Sequence, residues 1–157
     1  MILVDGVAHY PKWLYEPKDA PLHFLQILRD WYLGMFNDPF VQEDKAPNWL
    51  KPFVFLEFTF LFPTAVYATY RLSQKKGTTG QLELLLLIYG FEMAISTYLC
   101  INDMALWDPV AYPTAVKNAF IYQIYGPYVI LPGLLFVDMY SRLLARFNST
   151  DVAKKTQ

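Results

Sequence analysis

Three apolar runs divide the chain: Pro52–Tyr70 (PFVFLEFTFLFPTAVYATY), Leu82–Ile101 (LELLLLIYGFEMAISTYLCI) and Ala119–Val137 (AFIYQIYGPYVILPGLLFV). About 20 helical residues cross the roughly 30 Å hydrocarbon core of a bilayer, so each run predicts a membrane-spanning helix. Ahead of them, LHFLQILRDWYLGMF places Leu22, Leu25, Leu28, Tyr32 and Met35 at helical spacing with Arg29 and Asp30 opposite. That pattern predicts a short amphipathic helix at the membrane surface. Residues 1–21, broken by Pro11, Pro17 and Pro21, are expected to be irregular or interfacial. Asn37, Asp38 and Pro39 predict a turn or a helix start, since Asn and Asp cap well and Pro suits a first turn. The reading is therefore an all-α membrane protein: an N-terminal segment over 1–51, three transmembrane helices within 52–141 and a tail over 142–157.

Composition narrows the picture. The 157 residues are 55% hydrophobic and only 17% charged, less charge than a soluble domain of this size needs. A formal net charge of -1 offers no basic footprint for nucleic acid. One cysteine, Cys100, excludes a disulfide framework, and with only His9 and His23 beside it a zinc cluster is not expected. Cys100 reads as packing and His23 as surface. No cofactor is implied. The start, MILVDGVAHYP, lacks the basic region and apolar core of a cleavable signal peptide.

Lys and Arg near the span ends set the orientation. Arg71, Lys75 and Lys76 lie between the first two runs, and Arg142, Arg146, Lys154 and Lys155 follow the third, whereas the intervening loop 103–117 has only Lys117. The first loop and the tail should face the cytosol. The N-terminal segment, with five Lys and Arg against seven Asp and Glu, falls on the lumenal side. Lys154 and Lys155 then form a dilysine ending of the kind that retrieves membrane proteins to the endoplasmic reticulum, and the sequon at Asn148 lies on the side where it stays unused. A charged N-terminal segment with nothing to start its translocation resists this picture; a further span ahead of Met1 would remove the difficulty, the alternative being a variant with an open pocket.

Chemistry concentrates on acids placed at membrane depth. Glu57 lies inside the first run, where a buried carboxylate costs on the order of 3 kcal/mol unless it faces a bundle interior or a wet cavity. Pro63 removes a backbone donor and should free the carbonyl of Thr59; Pro127 and Pro132 should do the same for Gln123 and Tyr128. Glu92, in the second run, precedes Ser96 by one turn, and a self-satisfied pair is the plainer reading of that spacing. The aromatics Phe58, Phe60, Phe62, Tyr89 and Tyr122 read as packing, and as part of a ligand cage only beside an acid.

The residues Trp31-Tyr32, Asn37-Asp38-Pro39, Gln42-Glu43, Trp49, Glu57, Pro63, Ala68-Thr69-Tyr70, Ser96-Thr97-Tyr98-Leu99 and Tyr125-Gly126-Pro127-Tyr128 together resemble the EXPERA-domain family, most nearly its sigma-2 receptor branch. Leu131-Pro132-Gly133-Leu134-Leu135 and Asp138 look like its sterol isomerase branch. The resemblance implies a four-span bundle in the endoplasmic reticulum, dimeric in some members, with an intramembrane pocket for sterols or cationic amphiphilic amines. It assigns Asp5, Asp38, Glu57, Thr97 and Tyr128 to that pocket. By residue chemistry alone Asp38 is a cap and Asp5 a terminal aspartate. Should the two meet, both cannot ionise cheaply, and an ammonium group would relieve them. Only the last turn of the family's first span corresponds to residues here, at 1–4, and the histidine and glutamate used there by the isomerase branch have no counterpart. Leu61 stands where the receptor branch has a glutamine. The leading expectation is a receptor-like or sterol-handling protein without catalytic residues. The alternatives are a sterol double-bond isomerase working through Glu57 and Glu92, and an interaction protein at the reticulum surface.

Overall fold

The computed structural model describes the backbone of residues 5–42, 44–74 and 77–155, and the side chains of these except 5, 8 and 150–155. Every regular element among them is helical. The chain forms two compact units, residues 1–56 and 57–157.

In the first unit, short 3-10 turns at Asp5–His9 and Lys12–Leu14 precede helix α1, His23–Phe36. Val7, Tyr15 and Leu25 make its small core, with Tyr10 and Leu22 against them. His23, expected at the surface, is half-buried, its Nδ1 3.1 Å from the Tyr15 carbonyl. Helix α1 is apolar on more than one side. Leu25 faces the core, while Phe24, Ile27, Trp31 and Met35 recur along an exposed stripe. Asn37 ends the helix in the left-handed conformation, φ 48°, where its short polar side chain is tolerated, and its N–H closes on the Leu33 carbonyl at 2.8 Å. Asp38 then caps the turn Pro39–Val41, with Pro39 in the first position, where its missing N–H is not needed.

Among the described residues three helices are long and apolar enough to cross a membrane: α2, Leu50–Ser73; α3, Gly80–Ala105; and α4, Thr114–Ser149. Helical winding continues beyond α4 to Lys155. Each overruns its apolar run. Thr79 caps α3 by accepting the Leu82 N–H at 3.3 Å, and α4 begins straight after Pro113. In two of these helices the backbone departs from α geometry. Glu57–Leu61 and Phe120–Tyr125 are wound as wider π turns, lying just ahead of Pro63 and Pro127. The expected single free carbonyl at Thr59 or Gln123 presumes strict α winding, which does not hold there; a wide turn absorbs the proline instead. Pro132 sits inside regular helix.

Helices α3 and α4 make the most extensive contact of the second unit. A core of Ala68, Leu82, Leu86 and Met139 joins α2, α3 and α4. At Gly90 the two helices approach closely, and a Cβ there would lie 2.8 Å from the Pro132 carbonyl oxygen. The distribution of polarity is that of a protein in lipid. Thr64, Glu83, Glu92, Ser96 and Thr97 point inward, while Val66, Leu84, Ile88, Phe91 and Leu134 face outward. Outward apolar side chains cost nothing in hydrocarbon, and inward polar ones find partners or serve a function.

The ends of the hairpin are tied. Glu83, 1% exposed, accepts from Arg146 Nε at 2.6 Å, Arg146 Nη2 at 2.8 Å and the Thr78 hydroxyl at 2.6 Å. At the other end, Lys117 Nζ donates to the Trp107 carbonyl at 2.6 Å, and the Trp107 ring packs edge-on against Phe120.

Candidate ligand site

The wide turn of α2 packs against α3. It carries Glu57, half-buried, roughly a third of the way along its helix. Helix α3 carries Tyr89, half-buried, and Glu92, halfway along the helix and 9% exposed. Tyr89 and Glu92 lie one turn apart on α3. A wide turn projects side chains differently from an α-helix, and such turns recur at functional sites.

The hydroxyls around Glu92 do not serve it. Ser96 Oγ, expected as its partner, donates to the Met93 carbonyl at 3.2 Å, and Thr97 Oγ1 donates to the same carbonyl at 2.8 Å. Short hydroxyl side chains inside helices readily back-bond in this way. Both carboxyl oxygens of Glu92 are buried with no hydrogen-bond partner. The self-satisfied pair suggested by the spacing is therefore absent.

The remaining candidates are placed as follows. Asp38 is fully buried in the first unit, where its Oδ1 accepts the Phe40 N–H at 2.9 Å and its Oδ2 accepts the Tyr32 hydroxyl at 2.9 Å. It is a satisfied cap. Thr97 is buried on α3, five residues beyond Glu92. Tyr128 is 52% exposed on α4, and Leu61 is buried. The side chains of Asp5, Lys154 and Lys155, and residues 1–4, lie outside the described residues. Among the described residues no group of three or more His, Cys, Asp or Glu side chains is arranged to hold a metal ion.

Comparison with known proteins agrees with this architecture. Residues 24–139 match the family model described as EXPERA (EXPanded EBP superfamily). The sigma intracellular receptor 2 of Homo sapiens and that of Macaca fascicularis are each 27% identical to the chain over 147 residues, covering 88% of it and 77% of the relative. The protein of the same name from Xenopus tropicalis is 27% identical over 146 residues, covering 88% and 78%. No solved structure matches.

Proposed function

The chain belongs to the EXPERA (EXPanded EBP superfamily) family, and from that premise we propose that this multi-pass membrane protein is receptor-like or sterol-handling, taking sterols or lipophilic amines at an acidic site within the bilayer. The observation that carries the reading is the position of Glu57, on a wide turn inside a membrane-length helix and against α3. A carboxyl at such depth favours a polar or positively charged guest. Aromatic and aliphatic side chains around it supply shape, as small-molecule sites usually require.

Thr97 and Tyr128 enter the proposal as lining residues, and Asp5 and Asp38 as the paired acids the family resemblance implies. Asp38 already accepts from the Tyr32 hydroxyl and the Phe40 N–H, so what it would bring is a hydrogen-bonded carboxylate. We place the protein in the endoplasmic reticulum membrane, with the tail and its Lys154-Lys155 signal in the cytosol, the N-terminal segment lumenal, and a homodimer as an allowed assembly. The test is saturation binding of a lipophilic tertiary amine and of a sterol to purified protein. Glu57→Gln and Asp38→Asn should each weaken binding, and unchanged binding in both would overturn the assignment.

A second reading draws on the two acids carried by the packed pair α2 and α3, Glu57 and Glu92: a sterol double-bond isomerase, in which one acid protonates the alkene and another group takes a proton from the neighbouring carbon. Failure to complement an isomerase-deficient strain, with an unaltered sterol profile, would remove it.

A further inference from the structure

Among the described residues of the transmembrane unit, Glu92 is the side chain whose buried polar atoms the fold leaves without a partner. Its carboxyl is halfway along α3, 9% exposed, and neither oxygen has a partner. The nearby hydroxyls of Ser96 and Thr97 are committed to the Met93 carbonyl. The described cations of residues 57–157 are committed as well. Arg71 lies 5.9 Å from the centroid of the Tyr67 ring, Lys117 donates to the Trp107 carbonyl, Arg142 to Asp138 and Arg146 to Glu83. A buried carboxyl without a partner is costly, and native structures retain such groups chiefly where something else meets them.

We propose that Glu92 is the charge-selecting residue of the intramembrane site: it receives the ammonium of a lipophilic amine, and this contact separates cationic ligands from neutral ones of the same shape. The inference rests on the preceding reading that the site takes lipophilic ligands. An ammonium is favoured over a hydroxyl because a charge-assisted bond in a water-poor region is about twice as strong as a neutral one. Tyr89, one turn before Glu92, can offer a ring face to the same cation. Nothing in residue spacing distinguishes Glu92 from a self-paired acid; the committed hydroxyls do.

The experiment uses the full chain in lipid nanodiscs, with N,N-dimethyl-4-phenylbutylamine as the cationic probe and N,N-dimethyl-4-phenylbutanamide as its uncharged counterpart, each titrated by calorimetry. The wild-type protein should prefer the amine. Glu92→Gln should weaken amine binding on the order of tenfold or more and leave amide binding unchanged, while Glu57→Gln should keep a preference for the amine. If Glu92→Gln binds the amine as well as wild type does, the inference is overturned although the receptor reading stands. If wild type binds neither probe, both are overturned. Should Glu92→Gln fail to fold, infrared difference spectra of the Glu57→Gln/Asp38→Asn protein decide: a carboxyl band displaced by the amine but not by the amide supports the assignment, and an unmoved band refutes it.

Discussion

Replacing Gly90 by alanine sets two effects of known sign against each other. In an ordinary helix interior, Gly→Ala stabilises by roughly 0.5–1 kcal/mol, because glycine loses more backbone freedom on folding. At Gly90 the added Cβ would sit 2.8 Å from the Pro132 carbonyl oxygen and 3.0 Å from the Phe136 nitrogen. Both are backbone atoms, so neither can swing aside. Ordinary contact begins at 3.4 Å, and α3 and α4 would have to part by about 0.6 Å along that line. A gap of about 0.5–1 Å forfeits a quarter to a half of each dispersion contact it opens, and these two helices share the largest interface of their unit. Overpacking of this kind typically costs about 1–3 kcal/mol, so the steric effect should win. Gly133 supplies the control, since a Cβ there meets nothing within 4 Å. Thermal melting of purified protein in one detergent should show Gly90→Ala several degrees below wild type, at about 2–4 °C per kcal/mol for a chain of this size. Gly133→Ala should melt at or above wild type. If Gly90→Ala melted as high as Gly133→Ala, the close approach of the two helices would be wrong.

Other outcomes follow from the ties and caps. Arg146→Met should lower the melting temperature, because Glu83 is left buried with only the Thr78 hydroxyl; adding Glu83→Leu should recover part of that loss, since a buried acid without its cation is worse than an apolar pair. Asp38→Ala should cost about 1 kcal/mol through the lost cap, whereas Asp38→Asn should melt near wild type; a ligand role then shows as weakened binding in the Asn variant at unchanged stability. Lys154→Ser with Lys155→Ser should release the protein from the endoplasmic reticulum in fluorescence microscopy, and Asn148 should stay unglycosylated in a glycosidase mobility assay; retention or a mobility shift would reverse the proposed topology.

Much of the architecture was legible along the chain because lipid demands long apolar runs, and the three runs lie inside the three observed helices. The Asn37-Asp38-Pro39 stop and restart was equally readable, since its physics is local: a left-handed carboxamide, a capping carboxylate and a proline that needs no donor. Contacts set by tertiary geometry were not readable. Glu83 and Arg146 lie 63 residues apart, and their pairing depends on how far α4 winds past its apolar stretch. The Glu92–Ser96 expectation failed because a hydroxyl in a helix has a carbonyl of its own turn within reach, a competitor that side-chain spacing ignores. Pro63 and Pro127 did signal backbone irregularity, but whether a helix answers a proline with a gap or with a wider turn is decided by its neighbours.

The Arg146 fork has a mechanical corollary. It grips Glu83 and the Thr78 carbonyl from a helix that runs on unbroken to Lys155. Any factor that took hold of the final residues would pull on a stiff lever whose fulcrum is the entry of α3, so traction at the extreme end of the chain would reach the hairpin's mouth before it loosened anything within the bilayer.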